Sequence, residues 1–301
     1  MMDRPAGTQI FERSDGHSFA YRLLGPKYRE GGPTPLVIIT GLSAVGLVDW
    51  APLDEDLAKE RPVLVFDNRL IGWSTATKEA ASKPYTMADM ARDTSDLVVH
   101  ALSSPARVAI CGFSMGGMIA GELLCLPNRP FEITHAFMTA TSAKAAHSDL
   151  LSALPQPKSD GSPLTDAEKR RVTEEWNRMM YHPAWLEDPA NADRFKLRVD
   201  TALATRRPMA TIQRQLQCIA KYDARKRLVN VPSSTRVLII HGERDRAVFY
   251  SELPHLRKAL PHAEVEPLPN RIKQMGHFWY DYDHDWPGVF RRFLEQPKAK
   301  L

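Results

Sequence analysis

Ser114 lies in Gly112-Phe113-Ser114-Met115-Gly116, a G-x-S-x-G pattern with a further glycine at Gly117. A serine so flanked suits nucleophilic attack on a carbonyl. The hydroxyl must stand at the tip of a sharp strand-to-helix turn, where neighbouring side chains would collide. The helix that follows aims free N–H groups and partial positive charge at a developing oxyanion. The pattern alone arises by chance in roughly one chain in ten of this length, so its surroundings must carry the reading. They do. The apolar run Arg107–Cys111 leads into the serine as a strand, and Met118, Ile119, Leu123 and Leu124 follow at helical spacing until Pro127.

The elements needed to hold such a turn recur along the chain. Leu36–Thr40, Val63–Asp67, Ala136–Ala140 and Val237–His241 are short apolar runs of the kind buried on both faces of a parallel sheet. Ile10–Glu12 and Phe19–Leu23, joined through Asp15-Gly16, suggest an opening hairpin. Thr86 with Asp89 predicts a capped helix, and Asp285-Trp286-Pro287 opens a last one. Strand-like and helical patterns alternate, so the fold class is α/β, with a mostly parallel central sheet flanked by helices.

Residues 143–232 break that rhythm. Pro155, Pro157, Gly161 and Pro163 punctuate a loop, and Thr165 with Glu168 caps a helix bearing Val172, Trp176, Met179 and Met180 on one face. Helices through Phe195–Leu203 and Ile212–Tyr222 are expected next. This is a helical lid inserted between two core strands, dividing the core into residues 1–142 and 233–301. Trp176, Tyr181, Trp185 and Phe195 could line a pocket beneath it or pack lid against core; Trp176 and Tyr181 are the candidate substrate contacts.

A serine hydroxyl needs a base, and the base needs a third group to orient it. In α/β-hydrolases these follow in the order serine, acid, histidine. Asp245 stands in Gly242-Glu243-Arg244-Asp245 after the strand Val237–His241. His277 stands in Gly276-His277, after the weak strand near Ala263–Leu268 and before the last helix. The candidate catalytic residues are therefore Ser114, Asp245 and His277. His241, at the end of its strand, is expected to be a packed residue.

Over nearly its whole length the chain resembles the lid-bearing α/β-hydrolases of the esterase, lactonase and carbon–carbon hydrolase type. Besides the serine, acid and histidine, Asp15-Gly16 with Tyr21 matches that family's opening hairpin. Asp67-Asn68-Arg69-Leu70-Ile71-Gly72-Trp73-Ser74 resembles its D-x-R-G-x-G-x-S loop, departing at Leu70. The family's oxyanion loop reads His-Gly-x, and here it reads Thr40-Gly41-Leu42. The resemblance implies oxyanion donors at the backbone N–H groups of Leu42 and Met115. It leaves open what supports a loop that lacks the histidine. A serine at the turn argues against the dehalogenase and epoxide hydrolase members, which use an aspartate there.

Composition narrows the remaining classes. Forty Lys+Arg against 36 Asp+Glu give a formal charge of +4, too balanced for a nucleic-acid binder. No apolar stretch nears the ~18 residues that would span a bilayer, and the start lacks the apolar run of a secretory signal. Cys111, Cys125 and Cys218 form no disulfide framework or metal pair. Asp281, Asp283 and Asp285 alternate like a calcium loop, but Trp286 and Arg292 stand where the loop needs Gly and Glu. No cofactor or metal is expected. The expected location is intracellular: peroxisomal if the source is a eukaryote, since Ala299-Lys300-Leu301 resembles an S-K-L address, and otherwise cytoplasmic.

The expected activity is hydrolysis of an ester, lactone or thioester of a small, mainly apolar molecule through an acyl-enzyme. Carbon–carbon bond hydrolysis or lyase chemistry with the same three residues is the alternative, as is a non-enzymatic small-molecule receptor of the same fold. The expected partner is a small-molecule substrate, not nucleic acid or membrane. Oligomeric state stays open, a homodimer included.

Overall fold

Alternating side chains on the central strands feed two hydrophobic layers, one on each face of the sheet. The computed structural model describes residues 2–150 and 162–295. Its strands are β1 (Gln9–Glu12), β2 (His17–Leu24), β3 (Leu36–Ile39), β4 (Val63–Phe66), β5 (Thr75–Ala76), β6 (Arg107–Phe113), β7 (Glu132–Thr139), β8 (Arg236–Ile240) and β9 (Glu264–Val265). They form one sheet in the order β1-β2-β4-β3-β6-β7-β8-β9, with β5 paired to β2. β1 and β2 pair antiparallel, as do β2 and β4; from β4 through β9 the pairing is parallel.

Val37, Ile39, Leu64, Val108 and Ile110 face the layer that holds helices Met87–Ala101 and Met115–Leu124. Leu36, Ile38, Val65, Ala109 and Cys111 face the opposite layer, covered by Leu53–Leu57 and Trp286–Glu295. There Phe290 stacks on Phe137 with ring centroids 4.0 Å apart. Each fully buried aliphatic side chain contributes about 1.5–3 kcal/mol, so these layers fix the strand ends where the loops meet. Both expected capping boxes form. Thr86 Oγ1 accepts from Asp89 N–H while Asp89 accepts from Thr86 N–H, and Thr165 and Glu168 do the same.

Between β7 and β8 the described residues are helical: Asp166–Arg178, Pro183–Glu187, Ala192–Ala204, Met209–Ala220 and Arg225–Leu228. A single bridge, Lys144 to Asp223, ties the two ends of this excursion together. β7 begins at Glu132, earlier than the apolar run at Ala136 suggests, because the exposed Glu132 and the half-buried His135 pair with β6, the register shifting past Thr134 between them. β9 is shorter than Ala263–Leu268, and both its residues are exposed at the sheet edge. The loop prolines Pro155 and Pro157, Gly161, and the terminal Ala299-Lys300-Leu301 lie outside the described residues. Among the described residues, no helix is long and apolar enough to cross a membrane.

Candidate active site

Ser114 follows β6 directly with φ 56° and ψ −122°, a left-handed conformation that costs a non-glycine residue about 1–3 kcal/mol. The surroundings hold it there. Ser114 N–H donates to Thr139 O at 2.9 Å, and the Thr141 hydroxyl donates to Ser114 O at 2.7 Å. The close approach explains the flanking glycines. A Cβ on Gly116 would lie 2.0 Å from Ile39 O, and one on Gly117 would lie 2.4 Å from Thr141 Oγ1. The turn thus packs directly against β3 and the segment after β7.

His277 reaches the same place from the loop before the last helix. Its ring lies against Phe113, centroids 4.7 Å apart, and only 3% of the residue is exposed. Nδ1 is 2.8 Å from Asp245 Oδ2. With Nδ1–H donating to the carboxylate, Nε2 is left with its lone pair free to accept a proton. Asp245 is held in turn: Oδ1 accepts from Ala247 and Val248 N–H at 2.8 and 2.9 Å. Burial pushes the Asp245 carboxyl up, but the neighbouring His277 and the bond from His241 outweigh it and hold it well below the usual range. Asp245 is ionised at neutral pH.

His241 is buried, as a packed strand-end residue should be, and Nε2 donates to Val248 O at 2.8 Å. The same nitrogen lies 3.4 Å from Asp245 Oδ2, a proximity that the sequence did not reveal. Cys111 is buried within β6, where burial pushes its thiol up and keeps it protonated.

Gly41, the residue before Leu42, abuts the serine: a Cβ on it would stand 3.0 Å from Ser114 Cβ. Met115 opens its helix and so has no helical acceptor for its N–H. Among the described residues, neither the Leu42 nor the Met115 N–H is hydrogen-bonded. Leu42 and Ser114 line one cavity, and Met115 directly follows the serine.

A cavity of about 340 Å³ opens over this group, lined by Ser114, His277, Leu42, Phe113, Trp176 and Phe278 among others. Trp176 is one of the lining residues. Tyr181 is not, and that expectation is corrected. Its ring stacks on Trp185 at 4.0 Å and its hydroxyl donates to Asp281 Oδ2 at 2.6 Å, so it packs the helical segment onto the 278–282 loop. Trp185 is buried in the same stack, and Phe195 lies under the Arg178 guanidinium; neither lines the cavity.

The charges around the cavity leave little mark in the sequence. The Asp281 side chain is fully buried and accepts from Arg194 and Arg198. Arg207 donates to Asp49 Oδ1 at 2.9 Å. An arginine within the apolar face made by Phe195, Val199 and Ala202 was the one available signal for Arg198. Among the described residues, no group of three or more His, Cys, Asp or Glu could hold a metal ion.

Residues 34–283 match the model of the alpha/beta hydrolase fold family. The chain belongs to the alpha/beta hydrolase family. As an alpha/beta hydrolase it superposes on several solved structures. A hydrolase from Pseudomonas aeruginosa PA01 is 22% identical with a TM-score of 0.73, covering 97% of this chain and 100% of its own. An esterase from Rhodococcus sp. ECU1013 is 19% identical at 0.74, covering 96% and 98%. The enol-lactonase from Burkholderia xenovorans LB400 is 21% identical at 0.70, covering 93% and 97%. At these identities the likeness is one of fold. No curated protein sequence matches the chain significantly.

Proposed function

We propose that this alpha/beta hydrolase is a serine hydrolase that cleaves an ester, lactone or thioester of a small molecule. His277 Nε2 takes the proton from Ser114 as its oxygen attacks the carbonyl carbon. The N–H groups of Leu42 and Met115 receive the oxyanion. His277 then protonates the departing alcohol or thiol, and water, activated by the same imidazole, releases the acid. Asp245 fixes the tautomer and offsets the imidazolium charge. The helices between β7 and β8 serve as the lid over the bound acyl group.

The observation that carries this reading is the buried Asp245–His277 pair beside a serine held at φ 56°. The cavity bears on substrate. Its volume falls at the small end of the range for ligand pockets. Two arginines on its wall already have carboxylate partners, Arg198 with Asp281 and Arg207 with Asp49. A neutral acyl group with a Leu- and Trp-facing chain fits that lining better than an anion. The test is turnover on a panel of p-nitrophenyl esters, lactones and acyl thioesters by wild type, Ser114→Ala and His277→Ala. Repeated turnover of short neutral acyl groups, lost in both variants, is expected. A folded wild type that binds panel members without releasing product would overturn hydrolysis in favour of a receptor.

A further inference from the structure

The loop that carries Leu42 has an anchor that the chain's own helical segment supplies. Ser43, next to Leu42, is itself left-handed at φ 61°. Both of its backbone polar groups are gripped by side chains from beyond residue 200. Ser43 N–H donates to Gln215 Oε1 at 2.9 Å, and Ser43 C=O accepts from Arg207 Nη1 at 3.0 Å. Arg207 is tied back by Nε to Thr205 Oγ1 at 2.9 Å and by Nη2 to Asp49 Oδ1 at 2.9 Å. Asp49 closes the circuit by accepting from Val45 N–H at 2.7 Å. Gln215 is completely buried on the helix Met209–Ala220, and its Nε2 finds no acceptor among the described residues. Leaving a buried amide nitrogen unpaired costs stability, so an apolar residue would suit packing alone better.

The grip reaches Leu42 through peptide geometry. Ala44 N–H donates to Gly41 O at 3.3 Å. The Gly41–Leu42 peptide is planar and trans, so fixing its C=O fixes the opposite direction of Leu42 N–H. Holding the two peptides on either side of Ser43 holds Ala44 where it can make that bond. The Asn68 amide steadies the other end by donating to Thr40 O at 3.2 Å.

We infer that Gln215 and Arg207 are positioning residues: they clamp Ser43 and thereby aim Leu42 N–H at the oxyanion. The clamp takes over the support that a histidine at position 40 would give in relatives. It also makes the completed oxyanion site depend on the seated helical segment. The inference rests on the acyl-transfer reading of Ser114.

The test compares Gln215→Met, which keeps length and loses the acceptor, with Gln215→Glu, which keeps an acceptor near Arg207. Each is measured on the best p-nitrophenyl ester, by thermal melting, and by amide hydrogen exchange at Ser43. Complete loss of an oxyanion donor costs about 10²–10³ in kcat; a donor merely misaimed should cost about 10–100-fold. Gln215→Met is expected to show that fall with KM within about twofold, an unchanged pH profile, a Tm within about 5 °C, and faster Ser43 exchange. Gln215→Glu should restore most of kcat and the protection. An active wild type with wild-type kcat in Gln215→Met would overturn the clamp alone, as would equal losses of kcat and Tm in both variants. A wild type with neither turnover nor a reactive Ser114 would overturn the acyl-transfer reading and this inference with it. Protection of Ser43 would then mark a purely structural tie.

Discussion

Replacing Asp281 by Asn removes one charge from a site built around it. The carboxylate is fully buried and accepts from Tyr181 Oη at 2.6 Å, from Arg194 Nε and Nη2 at 2.8 and 2.5 Å, and from Arg198 Nε and Nη2 at 2.8 and 2.7 Å. Burial pushes this carboxyl up, but the two guanidinium groups outweigh it and hold it below the usual range. The side chain of Arg194 is 21% exposed and can turn to solvent; that of Arg198 is 7% exposed and cannot. The loss is therefore one buried charge left unpaired, about 3–5 kcal/mol, out of a total stability of roughly 5–15 kcal/mol. Urea unfolding followed by tryptophan fluorescence measures it, since Trp185 stacks on the Tyr181 that binds Asp281. Adding Arg198→Met to Asp281→Asn should recover part of the loss, because the orphaned charge is gone. The sign with pH follows from the lowered carboxyl. Its contribution is present above about pH 4, the unfolded value, and lost as pH falls toward the folded one, so the gap between wild type and Asp281→Asn should narrow in acid. A single-variant loss under about 1 kcal/mol, or a double variant as unstable as the sum of the singles, would refute the reasoning.

Asp54 offers the opposite pH dependence. Burial pushes its carboxyl up to about 6, and Oδ1 has no partner among the described residues. The folded state then keeps a proton that the unfolded state has lost between about pH 4 and pH 6, so stability falls as pH rises through that window. Asp54→Asn should be more stable than wild type by up to about 3 kcal/mol at pH 8, at 1.36 kcal/mol per tenfold in proton affinity, and no more stable at pH 4; equal differences at the two pH values in urea melts would contradict this. Thr141→Val removes the hydroxyl that donates to Ser114 O; it should cost about 1–2 kcal/mol and slow probe labelling of Ser114, whereas unchanged labelling would show that the turn holds without it. Trp176→Ala should raise KM about tenfold for longer acyl chains while leaving kcat within about threefold, the pattern of lost uniform binding. An unchanged KM across the acyl series would remove Trp176 from the substrate wall.

The central strands and the serine turn were legible because their signals are local. A run of buried aliphatics between glycines or prolines needs no distant partner to be read, and the same holds for the capping boxes at Thr86 and Thr165. Asp245 and His277 were singled out by order along the chain and by loops after strand-like runs, and the fold brings them within 2.8 Å of each other. What stayed hidden depends on pairs far apart in sequence. Arg198 meets Asp281 across 83 positions, and Gln215 meets Ser43 across 172. Neither partner looks unusual alone. Tyr181 was misplaced for a related reason: aromatic residues on a helical segment can face the cavity or the core, and only the stack with Trp185 and the bond to Asp281 decide between them. The missing histidine at position 40 was visible as a departure, while its replacement came from helices with no sequence mark of that role.

The central claim is that Ser114 is an activated nucleophile. Its most direct test is mass mapping of the wild type and Ser114→Ala after exposure to a fluorophosphonate probe at neutral pH. One adduct is expected, on Ser114, formed in minutes, absent from Ser114→Ala and strongly slowed in His277→Ala. No adduct on folded wild-type protein, or an adduct on another residue that persists in Ser114→Ala, would contradict it.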